Sequence, residues 1–304
     1  MSKALPALNR FCRLFAAFAV PLTASLLTAC AVVPSVTEGP VRKEFAVAIT
    51  ASNQLIRFNA GQPSRILSKT ALSGLQPGES VLGIDFRIAK GQLFALGSTG
   101  RLYRVDAMTG AATTVGAPLG IALVGEEFGV DFNPTVDRLR VVSNTGLNLR
   151  IHPDTGALVD GNPVLDGAQP DGALAYVAGD LNAGKAPAVV AAAYTYNKSN
   201  EKITTNYVID ATAGTLVMQG SMEGATPVVS PNTGQLRTVG ALGAGAFKTA
   251  AFDIADLSGA AFAALTPAGA SASRWVEIDL KSGAAKVLGT IGGVEAVRGV
   301  AIEP

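Results

Sequence analysis

His152 is the only histidine of the 304-residue chain, and a lone imidazole is the first group to consider as a general base or a metal ligand. It stands in LRIHPDTG, and three other stretches, YRVDAMTG, YVIDATAG and VEIDLKSG, have the same form with Asp106, Asp210 and Asp279 in its place. A shorter version, IRFNAG, has Asn59 there. Aspartate or asparagine at such a position accepts hydrogen bonds from the backbone of a tight turn, and the glycine takes a positive φ. We therefore predict that His152 is a turn residue and that the chain has no catalytic histidine.

A second group of polar residues could bind an anion. Arginines alternate with apolar residues in RLRVV, and Asn148 and Arg150 alternate with apolar residues in the next stretch. If the SNTG between them is a hairpin turn, Arg140, Asn148 and Arg150 share one face of the sheet. Two arginines there need carboxylates, and Asp131 and Asp137 are the near candidates. The group predicts either an ion network that holds a sheet together or a site for an anion such as a sugar acid.

Two aspartates, Asp85 and Asp131, occupy equivalent positions in the phrases GIDF and GVDF. A pair of carboxylates could catalyse glycoside cleavage or a lyase reaction, with arginines to bind the substrate. Repetition of one structural unit explains the same two aspartates without chemistry. We keep Asp85, Asp131, Arg140, Asn148 and Arg150 as candidate ligand-binding residues.

The residue types of other common sites are missing. The chain has no GxSxG motif of a serine hydrolase and no GxxxxGK[ST] motif of a phosphate-binding loop. It also has too few His and Cys residues for a thiol enzyme or a zinc centre. Calcium stays open as a metal, since aspartates and backbone carbonyls suffice for it. We predict no catalytic residue, no metal and no cofactor.

The elements that must position these residues are repeated strands. Asp85 and Asp131 each precede the Asp106 or His152 turn by 21 residues, and two more strand-like runs lie between phrase and turn. Each unit thus predicts four antiparallel strands, the repeat that is typical of a β-propeller. Similar first strands are predicted in GALAY (172–176), AAFDI (250–254) and GVAI (299–302).

The two ends of the chain complete the count of blades. AVRGVAIEP at the C-terminus supplies only a first strand, whereas EFAVAIT, NQLIRFN and SRILSKT near the N-terminus supply the later three. We predict an all-β fold, a β-propeller of five four-stranded blades whose last blade is shared between the termini. The segment 221–246, which contains another turn-like PNTGQL, leaves a six-bladed propeller as the alternative.

The first residues have the form of a targeting signal. Lys3, Arg10 and Arg13 precede the apolar run LFAAFAVPLTASLL, which is followed by Thr28, Ala29 and Cys30. The sequence LTAC resembles the bacterial lipobox, and this resemblance implies cleavage before Cys30 and lipid attachment, including palmitate, to its thiol. We predict a signal peptide at 1–29, a tether at 30–43 and a β-propeller domain at 44–304.

The predicted processing sets the expected location and partners. Loss of the three basic residues takes the formal net charge from +1 to −2, so no basic surface is expected for nucleic acid. Several acyl chains would anchor the protein to a membrane. Alanine follows Cys30 where an aspartate would signal retention, which favours the outer membrane, with the propeller facing the periplasm or the exterior.

The stretch GVDFNPTVDRLRVVSNTGLNLRIHPDTGAL (129–158) closely resembles the bacterial family described as domain of unknown function 4394. SPNTGQLRTVGALG (230–243) and WVEIDLKSGAAKVLGTIGG (275–293) are similar to it too. The resemblance implies a propeller-like envelope or secreted protein and no particular activity. We expect a non-enzymatic module that binds an envelope protein or a glycan; the alternative is an enzyme of the lyase or glycosidase type with carboxylates and arginines in the central channel.

Overall fold

The computed structural model describes residues 38–293 and 295–304. The predicted signal peptide, Cys30 and the first part of the predicted tether lie outside these residues. The described residues form twenty β-strands and two short 3-10 helices. None of their helices has the length and apolar character needed to cross a membrane.

The strands form five sheets, the blades of a propeller. The strands near the N-terminus are β1 (Phe45–Thr50), β2 (Gln54–Asn59) and β3 (Gln62–Ala71). The first blade consists of β4 (Val81–Arg87), β5 (Gln92–Gly97), β6 (Leu102–Val105) and β7 (Ala112–Val115). The second consists of β8 (Phe128–Asn133), β9 (Arg138–Ser143) and β10 (Asn148–Ile151).

The later strands form two more blades and close the ring. The third blade consists of β11 (Ala175–Tyr176), β12 (Val189–Tyr194), β13 (Asn206–Asp210), β14 (Thr215–Gln219) and β15 (Gln235–Ala241). The fourth consists of β16 (Thr249–Ile254), β17 (Ala261–Thr266), β18 (Arg274–Ile278) and β19 (Ala285–Thr290). The last strand, β20 (Val297–Ile302), joins β1, β2 and β3 in the shared blade.

The shared blade confirms the predicted closure of the ring. β20 pairs antiparallel with β1, with Ile302 opposite Ala46 and Val300 opposite Ala48. Chain closure of this kind leaves no open edge at the joint between the ends of the chain. The five-bladed propeller predicted from the sequence is therefore confirmed.

The strand count of two blades differs from the prediction of four each. In the second blade the fourth strand is reduced to a single bridge between Leu158 and Ile151. In the third blade β11 adds to the outer edge, parallel to β15. GALAY therefore contains an outer strand, and the first strand of this blade is β12, whose sequence VVAAAY has no aspartate. The Asp210 turn accordingly joins the second and third strands of its blade, whereas its relatives join the third and fourth.

The segment 221–246 is part of the third blade. It contains the connection between β14 and β15, then β15 itself, which pairs with β14. The 3-10 helix Pro231–Thr233 begins at Ser230, whose side chain accepts a hydrogen bond from the Asn232 N–H, and ends at Gly234. The six-bladed alternative is therefore excluded.

The innermost strands β20, β4, β8, β12 and β16 surround the axis in that order. They run in the same direction, so their C-terminal ends lie at one end of the ring. We call this end the C-terminal face and the opposite end the N-terminal face. An apolar cluster fills each of the five joints between blades. The joint between the second and third blades differs because it also holds a buried polar network.

The repeated turns have the predicted geometry. Asp106 Oδ1 accepts hydrogen bonds from the N–H groups of Met108 (2.8 Å) and Thr109 (3.0 Å), and Gly110 has a φ of 72°. His152 occupies the same position: its carbonyl accepts from the Gly156 N–H at 2.8 Å, and its Nδ1 accepts from the Asp154 N–H at 3.3 Å. The imidazole thus lies in a tight turn at the edge of a blade.

Because the turn uses the histidine only as an acceptor, we expect His152→Asp to leave the free energy of unfolding unchanged or slightly higher. An aspartate at this position can accept from two N–H groups, as Asp106 does. The measurement is urea unfolding of the variant beside the parent protein. A loss of more than about 1 kcal/mol, the usual size of one net hydrogen bond, would contradict a simple turn role.

Candidate functional site

The central channel is narrow because small residues line it. The innermost strands approach each other at glycine and alanine positions: a side chain at Gly129 would meet the Ala191 backbone at 2.5 Å. One cavity among these strands, lined by Gly83, Gly129 and Gly299, has a volume of about 10 Å³. That volume is close to the minimum for a single water molecule. A sugar ring does not fit into this cavity.

Three aspartates lie together near the C-terminal end of the channel. Asp85, Asp131 and Asp253 come from β4, β8 and β16, and one ligand oxygen of each lies within 4.8 Å of the other two. Each accepts a hydrogen bond from the backbone of the next blade. The donors are the N–H groups of Phe132 (2.7 Å) for Asp85 and Tyr194 (3.0 Å) for Asp131, with an equivalent bond of 2.5 Å for Asp253. We call these residues the channel triad.

Burial dominates the electrostatics of the channel triad. Removal from water raises the pKa of Asp85 and Asp131 well above the ordinary value, and the charges of the neighbouring aspartates add to the rise. Burial also raises the pKa of Asp253 to about 7. Asp256, nearer the surface, has its pKa raised by burial to about 6. Three carboxylates this close cannot all ionise at low cost, so protons are shared among them near neutral pH.

The channel triad is the one group of acidic side chains, among residues 38–293 and 295–304, whose geometry could hold a metal ion. Three carboxylate oxygens suit a hard cation such as Ca²⁺ or Mg²⁺. Asp85 and Asp131, the two sequence candidates, are brought together here. Asp253 was missed, although AAFDI, GIDF and GVDF share one pattern that would have identified it.

Arg140 is the centre of the polar network between the second and third blades. Its side chain is 1% exposed, and it donates to Asp171 (2.6 Å) and to Asn148 (2.7 Å) through Nη1. The remaining nitrogens donate to the Tyr194 hydroxyl (3.1 Å) and to Asn232 Oδ1 (2.5 Å). Every guanidinium nitrogen is thus hydrogen-bonded inside the protein.

Arg150 completes the network from the outer side. It forms a bidentate pair with Asp171, with Nε and Nη2 at 2.8 and 2.7 Å from the carboxylate oxygens. The Asp171 side chain is fully buried, whereas that of Arg150 is 18% exposed. Asn148 donates to the carbonyl of Gly172 at 2.9 Å. Arg140, Asn148 and Arg150 therefore do lie together, as their alternation suggested.

The carboxylate of the network is not one that the sequence suggested. Asp131 faces the channel, and Asp137 pairs with Arg87 of the first blade. Asp171 takes their place because the chain after the second blade folds back along β10, where the Asp171 N–H donates to the Asn148 carbonyl. Asp137 itself has a φ of 52° in the β8–β9 turn.

A cavity of about 460 Å³ opens on the C-terminal face between the second and third blades. We call it the binding cavity. Arg150 and Asn232 connect it to the buried network. The β8–β9 turn lines one wall, and the connections before β13 and β15 line the other. The volume is that of a small-molecule site.

Positive charge predominates around the binding cavity. Arg138 donates only to the backbone carbonyls of Val136 and Asp137, and exposed Lys202 forms no ion pair with any described residue. Glu223 is the only acidic residue in the lining, and it accepts hydrogen bonds from Thr195 and Asn197. The cavity therefore suits an anionic group.

The cavity walls were not predicted from the sequence. Asn232, Lys202 and Glu223 come from two connections of the third blade, and no repeat or strand periodicity marks these positions. The alternating stretch RLRVV places Arg138 and Arg140 on the same face of the strand. This pattern does not show that Arg140 is buried whereas Arg138 lines the cavity. Only the packing of the two blades separates a buried arginine from one that lines a cavity.

Comparison with known proteins identifies one family and several distant folds. Residues 54–301 match the family described as domain of unknown function (DUF4394). No curated protein matches the chain.

Three solved structures are similar at low identity. Dihydro-heme d1 dehydrogenase NirN is 13% identical with a TM-score of 0.39, over 84% of this chain and 46% of that one. A structural genomics protein of unknown function from Bacteroides thetaiotaomicron is 14% identical with a TM-score of 0.44, over 82% and 58%. Myxococcus xanthus glutaminyl cyclase is 13% identical with a TM-score of 0.41, over 75% and 90%. The chain spans about half the length of the first two, and these likenesses to proteins of varied function indicate no activity.

Proposed function

The chain belongs to the domain of unknown function (DUF4394) family, and on that premise we propose that it is a lipid-anchored propeller that binds an anionic glycan. The observation that carries the proposal is the binding cavity, whose 460 Å³ are bordered by Arg138, Arg150 and Lys202. A carboxylate on a sugar ring would accept hydrogen bonds from arginine and lysine, while hydroxyl groups would meet the backbone and side-chain amides of the rim.

The buried network supports binding because it fixes the position of Arg150. Two bonds to Asp171 hold the guanidinium in one orientation, so a ligand would not have to order this side chain. Asn232 is held in the same way by Arg140. The fixed floor beneath the exposed side chains of Lys202 and Met222 lowers the entropy cost of binding a ligand.

A catalytic channel, the alternative function, is less well supported. Carboxylates do cluster in the channel, as an enzyme of the lyase or glycosidase type would require. The cavity among the innermost strands holds about 10 Å³, which admits no sugar ring, and each aspartate is engaged by a backbone N–H. A binding role therefore remains our proposal.

Attachment through Cys30 is the second part of the proposal. It rests on the order of basic residues, apolar run and LTAC at the N-terminus. A lipid at Cys30 would hold the propeller at the cell envelope, and the alanine after it favours the outer membrane. The glycan would then be one that is present at that surface.

Binding of a uronic-acid oligosaccharide tests the glycan proposal. We expect Lys202→Ala and Arg138→Ala each to weaken the affinity about tenfold, the effect of losing one charge-assisted hydrogen bond worth about 1.5 kcal/mol. Isothermal titration calorimetry gives the dissociation constants. Lys281→Ala, at an exposed turn of the fourth blade, is the matched control and should leave the affinity unchanged.

Two results would contradict the proposal. The first is equal binding of a neutral oligosaccharide of the same length, because the cavity charges would then play no part. The second is wild-type affinity in both cavity variants. Each variant should keep the unfolding midpoint of the parent protein, since neither Arg138 nor Lys202 pairs with a buried carboxylate.

A further inference from the structure

Exposed apolar side chains are concentrated on the C-terminal face. Every blade presents at least one large apolar residue there, on a turn or connection, and each is more than half exposed. They are Val41 before β1, Met108 in the β6–β7 turn, Val136 in the β8–β9 turn, Met222 and Val228 between β14 and β15, and Leu257 in the β16–β17 turn. Of the other exposed large apolar residues, Val124 precedes β8 on the N-terminal face and Leu181 lies in the β11–β12 connection, which leads to that face. The remaining ones lie in the outer strands and in the β10–β11 connection: Leu67, Val164, Leu165 and Val287.

These residues do not pack on one another but surround the axis. Three of them, Val136, Met222 and Val228, form part of the rim of the binding cavity. Met108 and Leu257 lie at the apices of turns in other blades. Apolar side chains that project from turns of every blade on one face can contact the interfacial layer of a bilayer together when a lipid anchor holds that face beside it.

The start of the described chain lies on the same face. Residues 38–44 lead into β1, whose first residues pair with the end of β20 at the C-terminal face. The Arg42 N–H donates to Asn59 Oδ1 at 2.9 Å, and the Arg42 guanidinium pairs with Glu277 at 2.7 Å. This guanidinium also lies 5.1 Å from the centre of the Phe262 ring. The segment is therefore fixed to the propeller and does not lead toward the N-terminal face.

The chain between the anchor and this fixed segment is short. Seven residues lie between Cys30 and Glu38, and the eight Cα–Cα steps of a fully extended chain reach at most about 28 Å. Because residues 38–44 lie on the C-terminal face, a lipid at Cys30 is held within that distance of this face.

We propose that the C-terminal face of the propeller rests on the lipid bilayer, with the six apolar side chains inserted at headgroup level. This inference rests on the proposed lipid attachment at Cys30. The occupant is the lipid surface itself, because the attachment brings this face within reach of it and the apolar ring is spread over all five blades. The binding cavity then opens toward the headgroups, and its anionic sugar would be reached at the membrane surface.

Site-specific labelling of the lipidated protein tests this orientation. Met108→Cys and Leu257→Cys are labelled with the fluorophore NBD; acylated Cys30 does not react, and Cys12 leaves with the signal peptide. The proteins are incorporated into vesicles of phosphatidylethanolamine and phosphatidylglycerol. We expect nitroxide-labelled lipid to quench the NBD at both positions severalfold more than at Val124→Cys, the control on the N-terminal face.

The outcomes separate the orientation from the anchor. Mass spectrometry of the protein and membrane fractionation of Cys30→Ala establish whether the chain is acylated; an unmodified Cys30 would overturn both the lipid anchor and the orientation. An acylated protein with equal quenching at all three positions would overturn the orientation alone. NBD emission at shorter wavelength in vesicles without quenching by the nitroxide-labelled lipid would indicate that a second copy covers this face and would overturn the lipid contact.

Discussion

Replacing Arg140 by alanine is expected to lower the free energy of unfolding by roughly 3–5 kcal/mol. The substitution leaves the fully buried Asp171 with one partner instead of two and removes the donor that joins Asn148, Asn232 and Tyr194. A buried carboxylate that loses a charged partner keeps its desolvation cost without the compensating attraction. The loss should therefore approach that of a broken buried ion pair.

Urea unfolding monitored by circular dichroism measures this loss, with two variants for comparison. Arg138→Ala removes an arginine of the same strand that bonds only to backbone carbonyls, so we expect a change of less than about 1 kcal/mol. Arg150→Ala removes a partly exposed partner of Asp171, and its effect should lie between the other two. An Arg140→Ala protein with the unfolding midpoint of the parent would show that the network does not hold the second and third blades together.

Three residues of this network could be predicted from the sequence to lie together, whereas Asp171 and Asn232 could not. Strand periodicity placed Arg140, Asn148 and Arg150 on one face because a β-strand alternates with a fixed period of two. Asp171 and Asn232 reach the same place through irregular connections, and irregular backbone follows no period. The two candidate carboxylates, Asp131 and Asp137, were therefore the wrong partners.

The fold was predictable to the level of blades but not of single strands. The repeated turn motif and the AAFDI-type phrase identify the regular blades. The N-terminal strands lack a first strand of their own, and this predicts that the C-terminal strand β20 completes their blade. The third blade departs from this pattern because its innermost strand, VVAAAY, has neither the aspartate nor the glycine of the phrase. Burial on both sides makes such a strand a continuous apolar run, which is not distinguishable from other apolar runs.

The channel triad is predictable once three phrases are aligned, yet its chemistry is not. GIDF, GVDF and AAFDI align with one another, so their three aspartates occupy equivalent positions in repeated units. Side chains at such positions point toward one axis. Their separation within 4.8 Å depends on how closely the strands approach, and that depends on the small residues of the neighbouring strands. The resulting pKa values follow from burial, which no motif records.

The raised pKa values predict an unusual dependence of stability on pH. Between about pH 4, where free aspartate ionises, and the folded-state pKa, the folded protein retains protons that the unfolded chain releases. The unfolded state then binds fewer protons, so stability falls as pH rises. Asp253, with a pKa of about 7, contributes this fall up to neutral pH, and the raised pKa values of Asp85 and Asp131 add to it. We expect the melting temperature to decrease steadily between about pH 5.5 and pH 8.

Asp85→Asn should reduce this decrease and make the protein more stable than the parent at pH 8. The asparagine oxygen can still accept from the Phe132 N–H, while the buried charge and its repulsion with the other two aspartates are removed. One unit of raised pKa corresponds to about 1.4 kcal/mol, so we expect a gain at pH 8 that is measurable by thermal unfolding.

Thermal unfolding in EDTA, which removes divalent cations that could neutralise the triad, provides the measurement. Asp106→Asn is the control: turn N–H groups lower the pKa of Asp106, so it is ionised in both states above about pH 5.5, and the variant should keep the parental slope. Parallel curves for Asp85→Asn and the parent would mean that Asp85 does not hold a proton in the folded protein. In that case water or an ion must reach the channel, because three ionised carboxylates this close require compensation that the surrounding backbone N–H groups alone do not supply.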